Sequence, residues 1–319
     1  MDIAFGLDEH YSRHVQVTIE SILQQHPDDR DITFWIMTTK KGQDLLRDPL
    51  RRQTMGRAHV EMLDSGESFR GLPLPGRWKL PWISAAMYLR LLMPAAVSPW
   101  AERLLYLDVD VLCMSSLTEL WETDLAGASL GAVVDTCTPT IGSRTGLPGA
   151  PDFIKPDDPY FNSGILMIDV QEWLRSQITE RCFGYLSGMQ GVFRFPDQDA
   201  LNVAAHRRWF ELDNKWNYLV NFDSDPQPHR EYTGIVHFAG PRKPWQEDCP
   251  HAALRSRYVS LMHSCRQDPQ EPVLMPGLAD CHSGSGVSWR TSISSRPSAS
   301  ISASTPNSAD RSSKPVSTV

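Results

Sequence analysis

The first third of the chain alternates between two hydrophobic periods. Asp2–Asp8 (DIAFGLD), Ile32–Thr39 (ITFWIMTT) and HVEML at 59–63 read as strands. Between them, Val17, Ile19, Ile22 and Leu23 recur at helical spacing within His14–His26, and Gly42–Gly56 reads as a second helix. Strands and helices alternating in this way predict parallel strands joined by crossover helices. Leu104–Leu107 is a further apolar run, continuous enough to be covered on both faces, and it ends in Asp108, Val109 and Asp110. Beyond it, LGAVVD (130–135), GILMIDV (164–170) and GIVHFAG (234–240) read as strands, with helices over Val170–Met189, Asp199–His206 and Ala252–Cys265. Asn162, Ser163 and Gly164 read as the turn that opens one of these strands.

This pattern stops near Gln267. Fourteen of residues 268–319 are serine, with many prolines and little apolar content. Such a segment buries too little surface to offset its ordering entropy, so the division expected is a folded domain over 1–267 and a disordered tail over 268–319. With 319 residues and 41% hydrophobic composition, the chain can build one sizeable α/β domain. A formal net charge of −7 argues against a general polyanion binder, so no nucleic-acid partner is expected. No apolar run approaches the ~18 residues of a membrane span, and MDIAFGLDEH lacks the regions of a signal peptide. Six scattered cysteines without a C-x-x-C pair suit a reducing cytoplasm.

Sheets of this kind bind ligands beyond the carboxyl ends of their strands. Asp8 and Asp108 both stand at predicted strand ends and would face one crevice. If Asp108 and Asp110 continue the strand, their i, i+2 spacing places both carboxylates on one side. Two adjacent anions repel unless a cation or water intervenes, so the pair is either a metal site or a solvated strand end. His237 would complete an oxygen/nitrogen set suited to a divalent ion. Gly240 permits close backbone approach and Lys243 offers a point charge, though a turn and an exposed lysine explain the same residues. Asp197, Gln198 and Asp199 stand where a helix begins, which capping alone explains, but a carboxylate and an amide also suit a polyhydroxylated ligand. Asp135 is a further strand-end carboxylate, and Trp78 and Trp82 are either core aromatics or a stacking platform for an acceptor sugar.

Four segments in order, YLRLLMP…LLYLDVDVLCMSSLTELW, YFNSGILMIDVQEW, PDQDALN and HFAGPRKPW, resemble glycosyltransferase family 8, above all its bacterial lipopolysaccharide galactosyltransferases. The resemblance runs from about Asp2 to Cys265. It implies a GT-A fold, a mixed and mostly parallel sheet with a Rossmann-like nucleotide-binding half at the N-terminus. It also implies transfer of a hexose, galactose or glucose, from a UDP-sugar to a glycolipid or oligosaccharide, with retention at the anomeric carbon. The expected metal is Mn2+ or Mg2+, held by Asp108, Asp110 and His237. Asp8 and Tyr11 match positions that hold the uridine, while Arg90 and Val109 match donor contacts. Gly240 and Lys243 match the diphosphate clamp, and Asn162, Asp197 and Gln198 surround the transferred sugar. The catalytic role of Asp197 and Gln198 stays open between double displacement and front-face attack. Two departures stand out: His10 replaces an asparagine of the relatives, and the serine-rich tail replaces a basic, aromatic segment that docks on membrane. A peripheral contact with the inner membrane face is therefore an expectation carried by the family more than by these residues. A non-catalytic nucleotide-sugar binder is the alternative.

Overall fold

A computed structural model of the protein describes residues 1–66, 85–143, 147, 149–188, 195–222 and 231–265. Trp78, Trp82, the expected boundary at Gln267 and the serine-rich tail lie outside the described residues. The first half contains β1 (Asp2–Gly6), α1 (Ser12–Gln25), β2 (Thr33–Thr38), α2 (Lys40–Thr54), β3 (His59–Asp64), α3 (Leu89–Val97), β4 (Arg103–Leu107), β5 (Val111–Cys113), α4 (Thr118–Trp121) and β6 (Leu130–Val134). The second contains β7 (Phe161–Asp169), α5 (Val170–Arg175), α6 (Ile178–Gly188), α7 (Pro196–Ala204), β8 (Trp209–Glu211), β9 (Tyr218–Leu219), β10 (Ile235–His237) and α8 (Ala252–Ser264).

Seven strands form one sheet in the order β3-β2-β1-β4-β7-β6-β8. All pairings are parallel except those of β7, which runs against β4 and β6. Residues along each central strand alternate between two buried layers. Ile3, Phe5, Leu105, Leu107, Ile165 and Met167 pack with α1 and α2 on one face. Ala4, Leu104, Tyr106, Leu166 and Ile168 pack with α3, α5, α6 and α7 on the other. Burial on both faces is why these strands read as continuous apolar runs. A second, three-stranded sheet, β5-β10-β9, carries the chain's last described strand and packs against α8.

Several expected boundaries move. The strand expected over Asp2–Asp8 ends at Gly6, because Asp8 turns out to cap the 3-10 turn Glu9–Tyr11, accepting from the His10 N–H at 3.0 Å. The long helix expected over Val170–Met189 is two helices, broken where Gln177 takes a φ of 52°. Asn162, Ser163 and Gly164 are not an opening turn but part of β7 itself, where Asn162 pairs with Val133 of β6 and Asn162 and Ser163 are buried. The strand expected over Gly234–Gly240 is only three residues long, and Gly240 beyond it has a φ of 88°. Among the described residues no helix is long and apolar enough to cross a membrane.

A buried aromatic cluster joins α1, α8 and the loop at Trp245 beside the second sheet. The His14 ring stacks on Trp245 with centroids 3.7 Å apart, and its Nδ1 hydrogen-bonds the Tyr258 hydroxyl at 2.7 Å. Burial pushes the imidazole down to about 3, opposed by the field of Asp110 and aided by Arg13 and Lys243. An unfolded chain takes this proton near 6.5, the folded chain only near 3, so between those values the unfolded state binds more protons. Stability therefore falls as pH drops through that window, by up to about 1.4 kcal/mol per pH unit from this group. Urea denaturation at pH 4 to 6 should show a slope shallower by about that amount in His14→Gln, and an unchanged slope would mean that His14 protonates within the fold.

Candidate functional site

The Asp-Val-Asp stretch is a turn between β4 and β5, not the end of a strand. Its carboxylates converge because three different elements pin its backbone. The Asp108 N–H donates to the Gly164 carbonyl of β7 at 2.8 Å. The Val109 carbonyl accepts from Thr18 Oγ1 of α1 at 2.9 Å. The Asp110 carbonyl accepts from the Phe238 N–H, just after β10, at 3.0 Å. The expectation that the carboxylates meet holds, but the cause is turn anchoring, not strand periodicity.

His237 arrives from β10, which pairs antiparallel with β5 and sets His237 opposite Val111. Its Nε2 lies 3.4 Å from Asp110 Oδ1 and 4.0 Å from Asp108 Oδ2. One ligand-type atom from each of Asp108, Asp110 and His237 lies within 4.8 Å of the others. The remaining polar atom of each is held elsewhere. Asp108 Oδ1 accepts from Arg90 Nη2 at 2.9 Å and from the Tyr106 hydroxyl at 3.2 Å. Asp110 Oδ2 is paired with Lys243 Nζ. His237 Nδ1 is 2.8 Å from Asn217 Oδ1. Two carboxylates and an imidazole, each oriented by a partner behind it, are a donor set that fits a divalent cation.

Electrostatics separates the two carboxyls. Burial pushes Asp110 up, but Lys243 and then His237 outweigh it and hold the group well below the usual carboxylate range. Burial also pushes Asp108 up; Arg90 opposes this and the neighbouring Asp110 adds to it, leaving Asp108 raised. A cation between them would relieve that repulsion.

Beside this cluster lies a second polar group. Arg90 is buried and reaches both sides: beyond Asp108 it pairs through Nε with Asp197 Oδ2 at 2.9 Å, and its Nη1 donates to the Ser163 carbonyl at 2.7 Å. Gln198 Oε1 accepts from the Ser163 N–H at 3.1 Å, while its Nε2 donates to Asp135 Oδ2 at 3.3 Å. Asn162 Nδ2 donates to the same Asp135 oxygen at 3.1 Å. Asp197 and Gln198 occupy the first turn of α7, which starts at Pro196, and both are buried rather than solvated caps.

The sequence-expected residues thus fall into groups. Asp108, Asp110 and His237 meet, and Arg90 links them to Asp197, Gln198, Asn162 and Asp135. Lys243, read as exposed or as a clamp, is only 8% exposed and lies on Asp110 and the Phe238 carbonyl. Tyr11 sits edge-on to Trp245, two residues beyond Lys243, with ring centroids 6.0 Å apart. Val109 turns its side chain into the core. Asp8 caps its turn as described above. Asn217, buried in the 3-10 turn Asn214–Asn217, escaped the sequence reading, since an Asn beside aromatics carries no periodic or motif signal.

The family model for glycosyl transferase family 8 matches residues 2–249. The chain belongs to glycosyl transferase family 8. This family-8 protein is 26% identical to a lipopolysaccharide 1,2-glucosyltransferase of Escherichia coli K12, over 84% of this chain and 79% of that one. It is 28% identical to a lipopolysaccharide 1,3-galactosyltransferase of Salmonella typhimurium, over 76% of this chain and 72% of that one. Among solved structures, the galactosyltransferase LgtC in complex with donor and acceptor sugar analogues superposes with a TM-score of 0.69 at 28% identity, covering 85% of this chain and 98% of that one. The mixed, mostly parallel sheet is therefore the GT-A arrangement, and the protein is a glycosyltransferase. Its family implies a nucleotide-sugar donor and a glycan acceptor.

Proposed function

We propose that this family-8 enzyme moves galactose or glucose from UDP-galactose or UDP-glucose to a glycolipid or oligosaccharide, in lipopolysaccharide or surface-glycan synthesis, with retention at the anomeric carbon. The observation that carries the reading is the convergence of Asp108, Asp110 and His237, with ligand-type atoms within 4.8 Å of one another. The similarity to lipopolysaccharide glucosyl- and galactosyltransferases supports a hexose donor without choosing between the two epimers. Mn2+ is the metal proposed, because a mixed oxygen and nitrogen set suits it better than Mg2+, which favours all-oxygen octahedra. When bound, the metal supplies a Lewis acid for the departing diphosphate.

Lys243 and Gly240 clamp the diphosphate in this reading, which the pairing of Lys243 with Asp110 and the positive φ of Gly240 support. Asp8 and Tyr11 hold the uridine, and Arg90 and Val109 shape the wall behind the donor. Asn162, Asp197 and Gln198 hold sugar hydroxyls. The Asp197 carboxylate is paired with Arg90, and Gln198 uses both ends of its amide, so neither is a strong nucleophile. This favours front-face attack, in which the acceptor hydroxyl approaches from the leaving-group side and gives its proton to the diphosphate. The proposed module ends near Gln267, and the proposed location is the cytoplasm, peripheral to the inner membrane face.

The test is UDP release from each donor with Mn2+ or with EDTA, with and without lactose, repeated on a chain ending at Gln267. Metal-dependent release that lactose stimulates is expected, from the shortened chain as well. Binding of both donors with no release across a panel of acceptors would make the protein a nucleotide-sugar binder instead.

A further inference from the structure

His237 can serve a metal only through a nitrogen that carries no proton, and two carboxylates face its Nε2, at 3.4 Å and 4.0 Å. Left to itself, a neutral imidazole in that position would carry its hydrogen on Nε2 and donate to Asp110, which closes the site. Something must hold the proton on Nδ1.

The direction of one backbone group settles which way the supporting amides point. The Gly164 N–H can only donate, and it donates to Asn162 Oδ1 at 2.9 Å. The Asn162 oxygen therefore faces inward, and its amide nitrogen faces the acceptor-only Asp135 carboxylate at 3.1 Å. Asn217 meets that same Asn162 oxygen at 2.9 Å and must present its NH2 group to it. The Asn217 oxygen is then the atom that faces His237 Nδ1, 2.8 Å away. An oxygen there accepts and cannot donate, so Nδ1 carries a hydrogen, and in the neutral ring Nε2 is the nitrogen left bare toward Asp108 and Asp110.

We infer that Asn217 is a positioning residue for the metal centre: through an amide chain oriented by the Gly164 N–H, it locks His237 in the tautomer whose Nε2 is open to the cation. Asn217 touches neither substrate nor metal. It acts through His237, and the same chain runs on through Asn162 to Asp135 and Gln198 at the sugar side. The inference rests on the metal reading above.

The test is Mn2+ affinity of the full chain by EPR, with pulsed-EPR nitrogen coupling as the signature of imidazole on the ion. Wild type should show the coupling; its absence there would sink the metal reading itself. Asn217→Leu, near in shape but without an acceptor, and Asn217→Ala should each bind Mn2+ about 10- to 100-fold more weakly and lose the nitrogen coupling. Asn217→Asp keeps an acceptor oxygen and should retain both. The inference is overturned if a folded Leu or Ala variant, judged by its melting transition, keeps wild-type affinity and coupling. It is equally overturned if the Asp variant loses the coupling as completely as they do, because fixing the tautomer would then not be what Asn217 does.

Discussion

Asp110→Ala should abolish metal-dependent UDP release and also lower the melting temperature by more than a simple truncation would. The catalytic loss follows from the donor set: Asp110 supplies one of three converging ligand atoms and is the one held deep in its ionised form. The stability loss follows from Lys243, which is buried against the Asp110 carboxylate. Removing one partner of a buried ion pair leaves the other charge uncompensated, typically at about 3–5 kcal/mol. Adding Lys243→Met to Asp110→Ala removes the orphaned charge, so the double variant should melt closer to wild type while remaining inactive. UDP-release assays and thermal melts on the two single variants and the double variant separate these effects. Metal-dependent turnover surviving within about tenfold in Asp110→Ala would remove this carboxylate from the metal centre.

Gly164→Ala should weaken Mn2+ binding by at least about tenfold. Inside an ordinary strand the change would be mildly favourable, by about 0.5–1 kcal/mol, because alanine has less backbone freedom to lose. Here a Cβ would come within 2.3 Å of His237 Cε1, 2.9 Å of its Nδ1 and 3.0 Å of Asp108 Oδ2. Neither neighbour yields readily, since the imidazole is held by Asn217 and Asp108 by Arg90. The clash decides the sign, and overpacking of this kind costs about 1–3 kcal/mol as well. A Mn2+ titration and a thermal melt measure both effects. Wild-type Mn2+ affinity in this variant would mean that His237 does not need its present position to serve the ion.

How much of this was legible in the sequence depended on whether the signal was local. β1, β2 and β4 announce themselves because strands buried on both faces are uninterrupted apolar runs. The Asp108, Asp110 and His237 cluster was legible through residue type and family resemblance, yet the strand argument for the two aspartates was wrong, since their convergence comes from pins on β7, α1 and the end of β10. Asn162–Gly164 read as a turn because small and polar residues usually punctuate strands. Their place inside β7 depends on pairing with β6, on the Asp108 N–H that Gly164 accepts, and on Asn217, Asp135 and Gln198 to satisfy them. Lys243 read as surface for the same reason: its burial is decided by Asp110, remote in the chain. No window of residues contains such information.

The pairing of β10 with β5 also orders events during synthesis. Both aspartates leave the ribosome long before His237, and the imidazole reaches them only when a three-residue strand docks in one register, with His237 opposite Val111. A slip of a single residue would turn His237 to the other face of its sheet. The nascent chain therefore carries an incomplete binding set until nearly the whole transferase module has been made and closed. On the proposed metal reading, capture of the ion reports on completed folding: a truncated or misregistered chain carries both aspartates but lacks His237 and the Phe238 pin on Asp110, and so would compete poorly for the ion with its finished counterparts.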